Sequence, residues 1–186
     1  MSPDREPLAD RSALVLTVSD RSAEGTRPDA SGERLEERLV ALGFDVQRQV
    51  VPDEVPRIAD AIREGASRHR LVLTTGGTGL TPRDVTPQAT ATVLDYEVPG
   101  IAEAIRAEGR LHTPFASLSR GLVGVLGGSL VVNVPGSPNG ALESFDVLEP
   151  LLQHALETLA GPFDHAARRT AGRTDLPPGS PDEAER

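Results

Sequence analysis

The chain contains no cysteine and no lysine. Without cysteine there is no thiolate nucleophile, no thiolate metal site and no disulfide, which fits a reducing compartment and an expected cytoplasmic location. Without lysine the glycine-lysine-serine ending of a P-loop cannot occur, nor can Schiff-base chemistry; all 19 basic residues are arginines. Against them stand 28 acidic residues, for a formal charge of −9, the opposite of the basic stripe a nucleic-acid binder carries. A bound anion must therefore be held by local arginines, backbone amides or a metal. No run approaches the ~20 apolar residues of a membrane span, and the opening MSPDREPLADR lacks the apolar centre of a signal peptide. The four histidines (His69, His112, His154, His165) show no ligand spacing. Ser117 and Ser119 have no evident histidine partner, which argues against a serine hydrolase.

What the chain does have is alternation. With 38% hydrophobic residues in 186, one domain with a substantial core is expected, at 12–163. The polar, proline-containing stretch 1–11 and the charged, Gly- and Pro-bearing stretch 164–186 read as disordered ends. Between them, strand-like runs at 13–18, 44–51 and 71–75 alternate with helical patterns at 31–42 and from Pro56 onward, the sequence sign of a mostly parallel α/β sheet. Residues 86–111 read as helical with a break near Pro99-Gly100. The runs 123–126 and 129–134 flank Gly127-Gly128, a hairpin turn that would place an antiparallel strand at the sheet edge. Two helices, 139–148 and 151–159, are expected on either side of Pro150.

The segment LVLTTGGTGLTPRDVTPQAT (71–90) carries the most chemistry. A strand ends at Thr75 and runs into Gly76, Gly77, Thr78 and Gly79, and Thr86-Pro87 then opens a helix. Glycines let a backbone approach a ligand closely, and a helix start offers free amides to an anion, so the unit reads as a phosphate-binding device. Ligands of open α/β sheets bind beyond the carboxyl ends of the strands. There the chain places Ser19, Asp20, Arg21 and Ser22, then Asp53, then the glycine loop with Asp84, and finally Pro135, Gly136 and Ser137. Asp53 and Asp84, at the ends of neighbouring strands, could share one Mg²⁺, which takes one or two carboxylates plus substrate phosphates. Each feature also has a plain structural reading: a tight connection at 76–79, helix-starting roles for Asp53 and Asp84, Asx and Ser turns at 19–22, and punctuation at 135–138.

Taken together, VLTVSDRSAEG, VVPDE, TTGGTGLTPRDVTP, LSRGLVGV and VVNVPGSPNG resemble the molybdopterin-binding, Mog/MoaB-type family of molybdenum cofactor biosynthesis, over about 13–162. The resemblance implies a three-layer α/β/α Rossmann-like domain, usually a homotrimer, to which the apolar segment 96–111 could contribute a shared face. It implies adenylylation of molybdopterin by ATP with Mg²⁺, releasing pyrophosphate, and a possible molybdenum-insertion protein as partner. The family's two functional aspartates fall on Asp53 and Asp84. Its nucleotide and pterin contacts fall on 19–22, on Thr75 to Gly79, on Ser119 and Arg120, and on Pro135 to Ser137. Two other outcomes stay open: a non-catalytic pterin-binding protein of the same fold, and a nucleotide pyrophosphatase.

Overall fold

The computed structural model describes residues 11–161; the ends read above as disordered lie outside these, apart from Arg11. Six strands form one sheet in the order β2-β1-β3-β6-β5-β4. The parallel part comprises β1 (Ser12–Val18), β2 (Asp45–Val51), β3 (Leu71–Thr75) and β6 (Ser129–Val134). Three of these, β1, β3 and β6, are nearly continuous apolar runs because both faces are covered. Ala13 and Val15 of β1, with Leu71 and Leu73 of β3, face α2 (Ala30–Ala41), α5 (Pro99–His112) and α6 (Pro138–Leu159). Leu14, Leu16 and Val72 face the other way, against α3 (Val55–Ala66) and α4 (Thr86–Ala91). The result is the three-layer arrangement, with a core on each side of the sheet. Among the described residues no helix is long and apolar enough to cross a membrane.

The hairpin forms as expected: Gly127 and Gly128 both take positive φ, and Leu126 of β5 (Val123–Leu126) pairs with Ser129. The antiparallel edge is two strands deep, because the two-residue β4 (Tyr96–Glu97) pairs outside β5. This corrects the expectation of one helical stretch broken near residue 99. α4 stops at Ala91, and the chain turns outward so that the amides of Asp95 and Val98 donate to the carbonyls of Val125 and Val123. The pairing is possible because Gly124 has no side chain; a Cβ there would lie 2.5 Å from Leu94 and 2.6 Å from the Tyr96 carbonyl.

The second correction concerns Pro150, which lies inside one continuous 22-residue helix, α6. A proline inside a helix costs ~3 kcal/mol. Here it sits on the exposed face, while Phe145, Leu148, Leu152 and Leu156 form one buried stripe through it. Burial of four large side chains, each worth roughly 1.5–3 kcal/mol, outweighs the lost hydrogen bond. Two short elements carry no sequence period of their own: the single turn α1 (Asp20–Ala23) and a 3-10 turn at Pro114–Leu118.

Candidate active site

The loops after β1, β2, β3 and β6 converge, as the strand-end rule requires, on one cavity of about 600 Å³. Ser19 to Ser22, Asp53, Thr75, Gly76, Gly77, Asp84, Gly136 and Ser137 all line it. The N-terminal ends of α2 and α6 open onto it as well, at Asp29 to Ser31 and at Pro138. Three arginines, Arg21, Arg27 and Arg83, stand on its wall. Arg27 and Arg83 add to the residues the sequence points to; their signal is an arginine in a strand-end loop of a chain too acidic to attract anions globally.

Close packing, against backbone at Gly76 and against side chains at Gly77, explains the glycines. Gly76 has φ of 104°, and a Cβ there would meet the Val18 carbonyl at 2.3 Å. Gly77 has φ of 62°, and its Cβ would meet Thr86 Oγ1 at 2.3 Å and Asp53 Oδ1 at 3.2 Å. Thr86 donates its hydroxyl to the Gly76 carbonyl (2.9 Å), and Thr75 donates to the carbonyl of Pro135 (2.8 Å). Behind this wall the buried Asn133 amide donates to Thr74 Oγ1 and Thr90 Oγ1 and accepts from the Leu122 amide. β3, β6 and α4 are thereby tied together beneath the loop by a satisfied polar network.

Neither aspartate is the cap of the helix that follows it. The N-cap of α3 is Glu54 and that of α4 is Val85, and neither helix start receives a side-chain cap. Instead Asp53 and Asp20 exchange bonds: Asp53 Oδ2 accepts from the Asp20 amide and Asp20 Oδ1 accepts from the Asp53 amide, both at 2.9 Å. Arg83 donates through Nε (3.0 Å) and Nη2 (2.5 Å) to Asp20 Oδ2. Asp84 Oδ2 accepts from the Thr81 amide at 2.8 Å, and its carboxylate packs over Gly79, where a Cβ would stand 3.0 Å from Oδ2.

Charge is unevenly shared across this group. Burial, with the negative charges of Asp20 and Asp84 nearby, holds the Asp53 carboxyl above the usual carboxylate range despite the bond from the Asp20 amide. The Asp20 carboxyl is held below it, by the bond from the Asp53 amide and then by Arg83. The two shifts oppose each other although the hydrogen bonds are reciprocal, because Asp53 is the more deeply placed of the pair.

Not every residue read from the sequence reaches this cavity. Thr78, Gly79, Ser119 and Pro135 line a second cavity of about 240 Å³ on the far side of the glycine loop. Its other wall is largely apolar, built from Ile105, Phe115, Ala116 and Leu118. Ser137 borders both cavities. Arg120 lines neither; its guanidinium is engaged with main-chain carbonyls of the glycine loop.

The family model described as "Probable molybdopterin binding domain" matches residues 14–154. The chain belongs to this family of Mog/MoaB-type proteins. It is 42% identical to a solved MogA, with a TM-score of 0.77, over 80% of this chain and 99% of the other. To the molybdopterin biosynthesis enzyme MoaB of Thermus thermophilus it is 46% identical, with a TM-score of 0.76, over 82% and 99%. The molybdopterin adenylyltransferase of Helicobacter pylori J99 is 32% identical over 80% of this chain and 88% of its own length. The molybdenum cofactor biosynthesis bifunctional protein of Synechococcus elongatus is 41% identical over 89% of this chain, and the match covers 53% of that longer protein. Against the Drosophila melanogaster protein cinnamon the chain spans 25% of the relative's length.

Proposed function

We propose that this member of the molybdenum cofactor biosynthesis family is a molybdopterin adenylyltransferase, using ATP and Mg²⁺ and releasing pyrophosphate. The observation that carries the reading is the pair of cavities meeting at one glycine loop. The larger is the more polar of the two, with helix starts, arginines and aspartates suited to a nucleotide triphosphate. The smaller has apolar walls suited to a flat heterocycle. A phosphate on the pterin would arrive at the loop 76–79 and Ser137, where the two cavities adjoin. Its oxygen would attack the α-phosphorus of ATP, the bond from that phosphorus to the bridging oxygen would break, and pyrophosphate would leave. An ionised phosphate is already a nucleophile, so no general base is required of the protein.

The donor set fits Mg²⁺. Burial, and then the negative charges of Asp20 and Asp84, make the ionised form of Asp53 costly, a burden that a divalent cation relieves. Among the described residues no three His, Cys, Asp or Glu side chains are grouped to hold a metal. One or two carboxylates, with phosphate oxygens and water completing the shell, is the arrangement Mg²⁺ favours. When bound, the ion neutralises charge developing on the leaving pyrophosphate. Asp53 and Asp84 would hold it, the amide of Gly77 would donate to a phosphate oxygen while that of Gly76 stays on the Val134 carbonyl, and Arg83 would exchange Asp20 for phosphate as the triphosphate enters.

The test is pyrophosphate release from ATP and Mg²⁺, with and without molybdopterin, for the intact chain and for Asp84→Ala. Release that requires both the pterin and Asp84 is the expected result. Release without pterin would overturn the reading in favour of a nucleotide pyrophosphatase, and pterin binding without release would leave a carrier protein. The same reading carries a homotrimer sharing a face that includes the exposed Tyr96 and Leu111. A monomer in sedimentation would overturn that part. A molybdenum-insertion protein as partner, and a cytoplasmic location, belong to the proposal in the same way.

A further inference from the structure

The segment 80–83 is exposed, yet it sets the position of Asp84. Within the turn, the Asp84 amide donates to the Thr81 carbonyl (3.0 Å) and the Thr81 amide donates back to Asp84 Oδ2. These bonds close the turn upon itself, and the exposed Arg83 side chain ties it to Asp20. The anchor on its main chain comes from a distant part of the sequence. Arg120 donates from Nε to the Gly79 carbonyl (2.7 Å) and from Nη2 to the Asp84 carbonyl (2.5 Å), and its own amide donates to the Thr78 carbonyl (3.0 Å). One planar fork thus grips both ends of the turn, on the floor under the Asp84 carboxylate and on the stem that bears it. The next residue is held in turn: Arg106 of α5 donates to the carbonyl of Gly121 at 3.0 Å.

We propose that Arg120 is a positioning residue for Asp84, and not a ligand of either substrate. The proposal rests on the adenylyltransferase reading insofar as Asp84 acts in that reaction. The Arg120 side chain borders neither cavity and spends two donors on main-chain oxygens. Lysine keeps the positive charge but presents a point donor in place of the rigid fork, so it cannot span both carbonyls in this geometry. A ligand role depends on charge; a fork role depends on shape.

The experiment compares the full chain with Arg120→Lys and Arg120→Gln, after thermal unfolding has shown each variant to be folded. Amide hydrogen exchange is read at Thr81, Asp84 and Thr86, with β1 and β2 as internal controls. Both variants should speed exchange at those three amides by about tenfold or more, as loss of a charge-assisted bond from a local structural unit implies, and leave the controls unchanged. In pyrophosphate release both should lose kcat to a similar extent, with KM for ATP within about twofold, since the lost interaction is one that aims a catalytic group. Unchanged exchange would overturn the proposal. So would an Arg120→Lys variant that keeps wild-type kcat while Arg120→Gln loses it, or a rise confined to KM. If the intact chain releases no pyrophosphate, the functional reading fails, and the exchange measurement still decides the part Arg120 plays.

Discussion

The two cavities beside the glycine loop differ in how they are made. The larger is assembled from the carboxyl ends of four parallel strands, so its residues lie in the loops that follow strand ends and its walls are backbone, short side chains and three arginines. The smaller is assembled from α5, the 3-10 turn and the start of α6, and its walls are mostly side chains of amphipathic elements. The first is dictated by topology; the second depends on how helices happen to pack. One loop serves both, with Gly76 and Gly77 on one side and Thr78 and Gly79 on the other.

That contrast can be broken most severely at the polar cavity. Asp53→Ala should reduce adenylyl transfer by about a hundredfold or more, the scale seen when a principal electrostatic group is removed. Pterin affinity, measured by fluorescence titration, should change less than about twofold if the second cavity holds the pterin by shape and apolar contact. A matching loss of pterin binding would merge the two cavities into one functional unit. The converse substitution, Ser144→Phe, projects from the buried face of α6 into the smaller cavity. It should weaken pterin binding by about tenfold while leaving ATP binding, by calorimetry, nearly unchanged, because it fills a preformed apolar space.

A smaller effect tests the shared wall. Gly77→Ala combines a left-handed φ with a contact of 2.3 Å to Thr86 Oγ1, and should cost about 1–3 kcal/mol in urea unfolding. Gly100→Ala, in open space within α5, should instead be neutral or stabilising by up to about 1 kcal/mol. Equal outcomes would mean the wall is less rigid than its packing implies.

The mildest probe is electrostatic. Asp20→Asn removes a negative neighbour of Asp53 while keeping the Asp20 amide, so the Asp53 carboxyl, followed by carbon NMR, should titrate at lower pH than in the intact chain. An upward shift would mean that the freed Arg83 had moved away from the site. In the intact protein the two aspartates act oppositely on stability. Asp20, held below its ordinary range, contributes stability above the unfolded carboxylate value that is lost as pH falls through its lowered one. Asp53, held above, contributes stability at low pH that is lost as pH rises through its raised value.

Particular residues show where sequence reading reached and where it stopped. Asp53 and Asp84 could be placed beside Gly76 and Gly77 because each lies in the loop that follows a strand, and parallel strands end on the same edge. Whether they were helix caps could not be read. Both precede a helix start, and the choice between capping one's own helix and bonding Asp20 or Thr81 is made by loop geometry. Arg120 was assigned to substrate by resemblance, and only the fold shows its fork on two carbonyls across roughly forty residues of chain. β4 escaped notice because a two-residue strand has no period to detect, and Pro150 suggested a break because local rules carry no knowledge of the apolar stripe running through it.

By itself, then, the sequence determined the alternating α/β order, the run of apolar strands covered on both faces, the glycine loop and the two carboxylates at neighbouring strand ends. Each of these follows from periodicity, from the steric freedom of glycine or from the strand-end rule, all of which act over a few residues. The tertiary structure alone decided which cavity each loop residue faces, which partners the aspartates take and how proton affinity divides between Asp20 and Asp53. Those depend on distances and burial between segments far apart in the chain, quantities that exist only once the layers have packed.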